Sequence, residues 1–230
     1  MLYRGRKAIR RVPGKVIKAV PLPTPKVIQG FGARQQVGQI CVDAGCKSVL
    51  VVTDKTLSSL GLHNKVLASL RECSIPFAVF DDIDSEPTIK AIESGRRAAI
   101  DCDADGIVAI GGGSVLDTGK MIAASARHPT WPMRHYLQKF AVVGGKSLLM
   151  INVPSTAGTG AERTVGAVVG NSRGTKSPTV IVGLHVPYVI LDSELVVNAP
   201  KELTAWSAID ALSHGLEGLM ADVDTPLHIQ

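Results

Sequence analysis

Between Val49 and Ile110 the chain alternates short blocks that are apolar at every position with longer stretches of helical periodicity, and few folds accept that pattern. Val49-Leu-Val-Val-Thr53 predicts a buried strand, Leu57 to Glu72 an amphipathic helix, and Phe77-Ala-Val-Phe80 a second strand. Thr88 to Cys102 predicts a helix whose polar face carries Lys90, Glu93, Arg96 and Arg97, and Ile107-Val-Ala-Ile110 a further strand. Strands with no polar face need cover on both sides, which intervening helices supply in a doubly wound parallel α/β sheet. Ligands bind such sheets at the carboxyl ends of the strands.

One strand end stands out. Gly111-Gly-Gly-Ser-Val-Leu-Asp-Thr-Gly-Lys120 follows the Ile107 block directly and runs into the helical stretch Met121–Ala126. Glycines permit left-handed or crowded backbone and leave no Cβ in a ligand's way. The helix predicted from Ser114 offers N–H groups and the positive end of its dipole, a setting suited to a diphosphate. Ser114 can cap that helix or donate to a phosphate, and Asp117 falls in its predicted first turn. A plain packing turn has the same composition, so both readings stand at this level. Asp54 closes the Val49 strand; there it can accept hydrogen bonds from an adenosine ribose and repel the extra phosphate of NADP, or simply cap the next helix.

A third strand-end segment, Ile151-Asn-Val-Pro-Ser-Thr-Ala-Gly-Thr-Gly-Ala-Glu162, combines small residues and hydroxyls, as a ligand-contacting or a merely flexible loop would. Thr164–Val169 and Thr179–Gly183, flanking Asn171-Ser-Arg-Gly174, predict an antiparallel hairpin, and Tyr188–Asp192 another strand. The character changes at Asn198-Ala-Pro200. Lys201 to Met220 is helical, with Ile209, Leu212, Leu216 and Leu219 on one face and Asp210, His214 and Glu217 on another. Asp210 and His214, four apart, project from one side, as a surface pair or as two ligands of one metal ion.

The formal charge of +5 is local. Eight cations and no acid fall within residues 1–26, leaving 17 cations against 20 acids elsewhere, so the basic character belongs to an N-terminal extension and gives no reason to expect nucleic acid. No apolar run approaches the roughly 20 residues that span a bilayer, so no membrane partner is expected. Cys41, Cys46, Cys73 and Cys102 form no Cys-x-x-Cys pair, and free thiols in a reducing cytoplasm are expected.

Taken in order, Val52-Thr-Asp-Lys-Thr-Leu57, Glu86-Pro-Thr88, the Gly111–Lys120 segment, Pro154-Ser-Thr-Ala-Gly-Thr-Gly-Ala-Glu162, Leu191-Asp192 and Ile209-Asp-Ala-Leu-Ser-His-Gly-Leu-Glu217 resemble the iron-containing (group III) alcohol dehydrogenase family, from about Pro25 to Gln230. The resemblance implies a Rossmann-like parallel-sheet domain followed by an all-helical one. The division expected is a basic extension over 1–25, a dinucleotide-binding α/β domain over 26–197, and the first part of a helical metal-binding domain over 198–230. It implies that Gly111, Gly112, Gly113 and Ser114 hold the cofactor diphosphate, that Asp117, Ser155, Thr156 and Thr159 line the cofactor site, and that Asp54 reads the ribose. NAD is the expected cofactor, with NADP left open.

Asp210 and His214 match the first two metal ligands, for Fe²⁺ or Zn²⁺. The implied reaction is hydride transfer between a small alcohol and its aldehyde or ketone, the metal acting as Lewis acid and no side chain singled out as catalytic. The family's other two ligands are histidines on later helices; His63, His128, His135, His185 and His228 match neither. On this reading the chain is a C-terminally truncated member that exposes apolar surface on its last helix. The alternatives are a nucleotide-binding fragment without catalysis, or a relative of the glycerol dehydrogenase or maleylacetate reductase kind. Homodimers or larger assemblies are a family habit with no signal in this sequence.

Overall fold

The computed structural model describes residues 24–83, 86–170 and 176–220. The basic segment up to residue 23, the hairpin tip Asn171–Gly174 and His228 lie outside the described residues. Six strands form an all-parallel sheet in the order β1-β9-β6-β4-β2-β3: β1 (Lys26–Gly30), β2 (Val49–Val52), β3 (Phe77–Phe80), β4 (Gly106–Gly111), β6 (Leu149–Pro154) and β9 (Tyr188–Asp192). A small second sheet, in the order β5-β8-β7, comprises β5 (Phe140–Val142), β7 (Gly166–Gly170) and β8 (Lys176–Val182). The expected hairpin is β7 and β8, paired antiparallel.

The apolar strands are covered on both faces, and successive residues alternate between two cores. Val49, Val51, Val108, Ile110, Ile151 and Val153 face α1 (Val37–Asp43) and α3 (Asn64–Glu72). Leu50, Val52, Ile107, Ala109 and Met150 face α4 (Ile89–Asp101) and α5 (Gly113–Ala126), with the small sheet beyond. The chain thus leaves β2 toward one face and β4 toward the other. At the carboxyl ends of these neighbouring strands, paired through Val52 and Ala109, the two departing segments leave a crevice between them.

Several local expectations are corrected. The helix predicted over Leu57–Glu72 is two, α2 (Lys55–Ser59) and α3, because Gly61 between them takes a left-handed φ of +66° that ends the first. Arg96, expected on a polar helix face, is buried and donates to the carbonyl oxygens of His128, Pro129 and Trp131. Its guanidinium satisfies a loop that would otherwise bury bare carbonyls. α5 begins at Gly113 with Gly112 as its N-cap, one residue earlier than expected, so Asp117 falls in the second turn.

After α6 (Ser193–Val197) comes α7 (Lys201–Met220), which spans the predicted range and buries none of its residues. Ile209, Leu212, Leu216 and Leu219 are more than half exposed, as expected for this face. Among the described residues no helix is long and apolar enough to cross a membrane.

Candidate functional site

The crevice between β2 and β4 is a cleft of about 790 Å³, within the range of small-molecule sites. Its polar wall carries Asp54, Gly112, Gly113, Ser114, Ser155 and Thr156; its apolar wall includes Leu57, Leu60, Leu62, Ile83, Leu195 and Leu203. Sheet register brings these residues together. Asp54 lies two residues past the last β2 residue paired with β4, and Gly111, which ends β4, pairs with Pro154, so the next residue, Ser155, donates its N–H to the Gly111 carbonyl at 2.9 Å.

Space within the protein, not backbone angle, favours glycine at 111 and 113, while at 112 the protein itself leaves room for a side chain. None of the three has a left-handed φ, contrary to one expectation raised by the sequence. A Cβ on Gly111 would lie 2.5 Å from the Val115 side chain, and one on Gly113 would lie 3.1 Å from Thr159 Cγ2. At Gly112 the nearest atoms would be those of Thr156, 3.7 Å away, and Gly112 borders the cleft. α5 opens here, so the positive end of its dipole points at this wall.

Asp54 is the N-cap of α2 and accepts from Leu57 N at 2.8 Å through Oδ1. The capping role foreseen in the sequence is therefore present, on a residue that also borders the cleft. Thr159 faces Gly113 from the far loop and its hydroxyl accepts from Ala161 N at 3.2 Å.

Asp117 departs from the expected placement. It does not line the main cleft but a smaller adjoining pocket of about 130 Å³, with Ser114, Val168 and Lys176 among its walls. Its oxygens are engaged within the protein: Oδ1 accepts from Lys120 Nζ at 2.9 Å and Oδ2 from Val168 N at 2.8 Å. Lys120 is fully buried, and its Nζ also donates to Thr164 Oγ1 and the Gly166 carbonyl, each at 2.8 Å. Burial pushes its pKa down, against the opposing pull of Asp117.

The sequence did not single out Lys120. The available signal was a lysine in a helix whose residues from Thr118 to Ala126 are all buried, since a buried ammonium requires partners.

A second unforeseen network supports the cleft from behind. Buried Arg34 pairs with Asp192 at 2.6 Å and Glu194 at 2.9 Å, and Lys65 reaches Glu194 at 2.5 Å. Asp192 also accepts from the N–H groups of Gly32, Arg34 and Glu194. Burial opposes ionisation of its carboxyl, but these donors outweigh it and hold the pKa below the ordinary carboxylate value. The network fixes Glu194 and Leu195, both on the cleft wall.

Asp210 and His214 lie on α7, with His214 Nε2 3.6 Å from Asp210 Oδ1 and both side chains substantially exposed. Two donors bound to one tetrahedral ion at about 2.1 Å each lie about 3.4 Å apart, so the spacing and chemistry of the pair fit two corners of a divalent-metal site. Among the described residues no group of three or more His, Cys, Asp or Glu is placed to hold an ion.

The architecture matches solved structures. The sulfoacetaldehyde reductase of Bifidobacterium kashiwanohense in complex with NAD⁺ superposes with a TM-score of 0.81 at 26% identity, covering 90% of this chain and 54% of that one. In sequence the chain is 33% identical over 204 residues to the NAD-dependent methanol dehydrogenase of Bacillus methanolicus, covering 88% of this chain and 53% of the relative. It is 31% identical over 205 residues to the choline dehydrogenase of Bacillus subtilis, covering 84% and 49%. The chain therefore spans about half the length of the curated relatives it matches. The iron-containing alcohol dehydrogenase family model matches residues 23–193, which include the whole parallel sheet and the glycine turn, and the chain belongs to that family.

Proposed function

We propose that residues 26–197 form the nicotinamide-dinucleotide-binding unit of a cytoplasmic alcohol or aldehyde oxidoreductase, and that the segment from 198 begins its metal-binding helical unit. One observation carries this reading: a single cleft at the carboxyl ends of β2 and β4 gathers Asp54, Gly112, Gly113, Ser114, Ser155 and Thr156 opposite an apolar wall. In this reading the amides at the start of α5 and the Ser114 hydroxyl receive the diphosphate. Leu57, Leu60 and Ile83 take the adenine. Asp54 accepts from the ribose hydroxyls while still capping α2, and its charge selects NAD over NADP. Thr156 and Thr159 border the approach to the nicotinamide end.

Asp210 and His214 would hold a divalent ion, iron or zinc, in company with further ligands; when bound, the ion supplies Lewis-acid polarisation of an alcohol or carbonyl oxygen. The chain's own contribution is to bind and orient the cofactor and keep water from its buried face. The substrate class is small alcohols and their aldehydes, as in the names of the relatives. One observation favours a second reading, nucleotide binding without catalysis: Asp210 and His214 have no third donor among the described residues.

Fluorescence titration of the purified chain with NADH, with and without Fe²⁺ or Zn²⁺, tests the site. Micromolar-range binding that ignores metal and weakens at least about tenfold in Gly112→Val and Asp54→Ala is expected, the first change filling the cleft and the second removing the ribose acceptor. A folded chain that does not bind NADH refutes the assignment. Turnover of a small alcohol on adding metal would decide against the second reading.

A further inference from the structure

An acid one turn into an anion-binding helix poses an electrostatic difficulty. Ser114 and Asp117, three apart on α5, border the same small pocket, so a diphosphate held at Ser114 lies on the order of 8 Å from the Asp117 carboxylate. At that distance an uncompensated charge would oppose the ligand that the helix terminus attracts. The structure supplies the compensation from behind. Lys120 Nζ meets three acceptors, Asp117 Oδ1, Thr164 Oγ1 and the Gly166 carbonyl, at 2.8–2.9 Å. Three acceptors require three N–H donors, which is the ammonium form. The remaining Asp117 oxygen receives Val168 N, so the pair also ties the second turn of α5 to β7.

We propose that Lys120 is a positioning residue of the cofactor site: acting through Asp117, it neutralises the carboxylate beneath the anion-binding turn and anchors that turn to the small sheet. This rests on the diphosphate reading of the Gly112–Ser114 turn. Lys120 touches no ligand in this role, and its effect is confined to ligands that carry phosphate.

The experiment compares ADP and adenosine binding by calorimetry to the full chain, at fixed ionic strength, with thermal melting of each variant alongside. ADP lacks the nicotinamide, so any contact of Asp117 with that ring does not enter. In Lys120→Met, Asp117 stays charged without its partner, and ADP affinity falls by at least about tenfold while adenosine affinity moves less than about threefold. In the double variant Asp117→Asn/Lys120→Met, with no charge on either residue, ADP affinity returns to within about threefold of the wild type. A merely structural lysine would lose adenosine along with ADP and would not be rescued by a second lesion.

A folded Lys120→Met chain with wild-type ADP affinity overturns the proposal, as does a double variant as weak as the single. Should Lys120→Met fail to fold, Asp117→Asn alone decides: Lys120 then faces the ligand without its counter-charge, and ADP binds as tightly as to the wild type or tighter. Weaker ADP binding in that variant overturns the charge argument. Absence of ADP binding by the wild-type chain overturns the diphosphate reading itself, a failure distinct from any of these.

Discussion

Replacing Asp192 with alanine isolates the network behind the cleft. The carboxylate is buried, 3% exposed as a residue, and accepts from the Arg34 guanidinium and from the N–H groups of Gly32, Arg34 and Glu194. Removing it strips four donors of their acceptor and leaves Arg34 to Glu194 alone. Arg34 keeps Glu194 as a counter-charge, so the cost comes chiefly from the N–H groups of Gly32, Arg34 and Glu194 left without an acceptor, at about 1–3 kcal/mol for each that stays buried, an expected loss of about 3–5 kcal/mol. For a chain of this size that is a fall in Tm of roughly 6–20 °C.

The assay is urea unfolding followed by circular dichroism, with the midpoint lowered and the slope unchanged. The pH dependence gives an independent sign. Because the folded-state pKa of Asp192 is depressed below 3.8, its contribution is present above that value and fades as pH falls through the lower, folded-state value. Asp192→Asn therefore flattens the acid limb of the stability curve below pH 3.8 and leaves its shape near neutrality unaltered. A loss under about 1 kcal/mol in Asp192→Ala, or an unchanged acid limb in Asp192→Asn, would refute the reasoning.

Two further changes probe packing and surface. In Gly119→Ala the new Cβ would lie 2.9 Å from both Ala109 Cβ and Met150 Cε, so α5 must lift from the sheet; a loss of about 1–3 kcal/mol in chemical unfolding is expected. Leu216→Lys alters a side chain on the exposed face of α7, so Tm should shift by no more than its scatter while light scattering shows less self-association.

The parallel sheet was legible because two of its interior strands, β2 and β4, are apolar at every position and only a doubly covered sheet buries both faces. β1 and β5 were not legible: β1 is an edge strand of largely exposed residues and β5 has three, too few for any periodicity. The strand ends with glycines and hydroxyls were recognisable as candidate ligand loops, since composition alone marks residues that leave room for a ligand. The chemistry behind those loops was hidden. Asp192 lies 158 residues from Arg34, and no local pattern links the two. The engagement of Asp117 depends on β7, 51 residues on, so no local helical pattern could show that its carboxylate is held by Val168.

Gly158 links the loop after β6 to the helix that carries Asp210 and His214. A Cβ at this position would stand 2.5 Å from the Ser207 carbonyl oxygen and 3.0 Å from Ser207 Cα, so the loop touches α7 backbone to backbone one turn ahead of Asp210. An apolar pocket of about 260 Å³ beside this contact is lined from both sides, by Ser155, Thr156 and Ala157 and by Leu203, Thr204 and Ser207. α7 buries no residue of its own, so its orientation has little other support. In Gly158→Ala the helix has to move, because a backbone carbonyl cannot rotate away as a side chain would. Amide hydrogen exchange then speeds up across Leu203–Ala211 while β4 and β6 keep their protection, the low-stability element opening without the sheet. Unchanged exchange in α7 would mean that the helix is held by something other than this contact; a loss of protection in the sheet as well would mean that loop and core unfold as one unit.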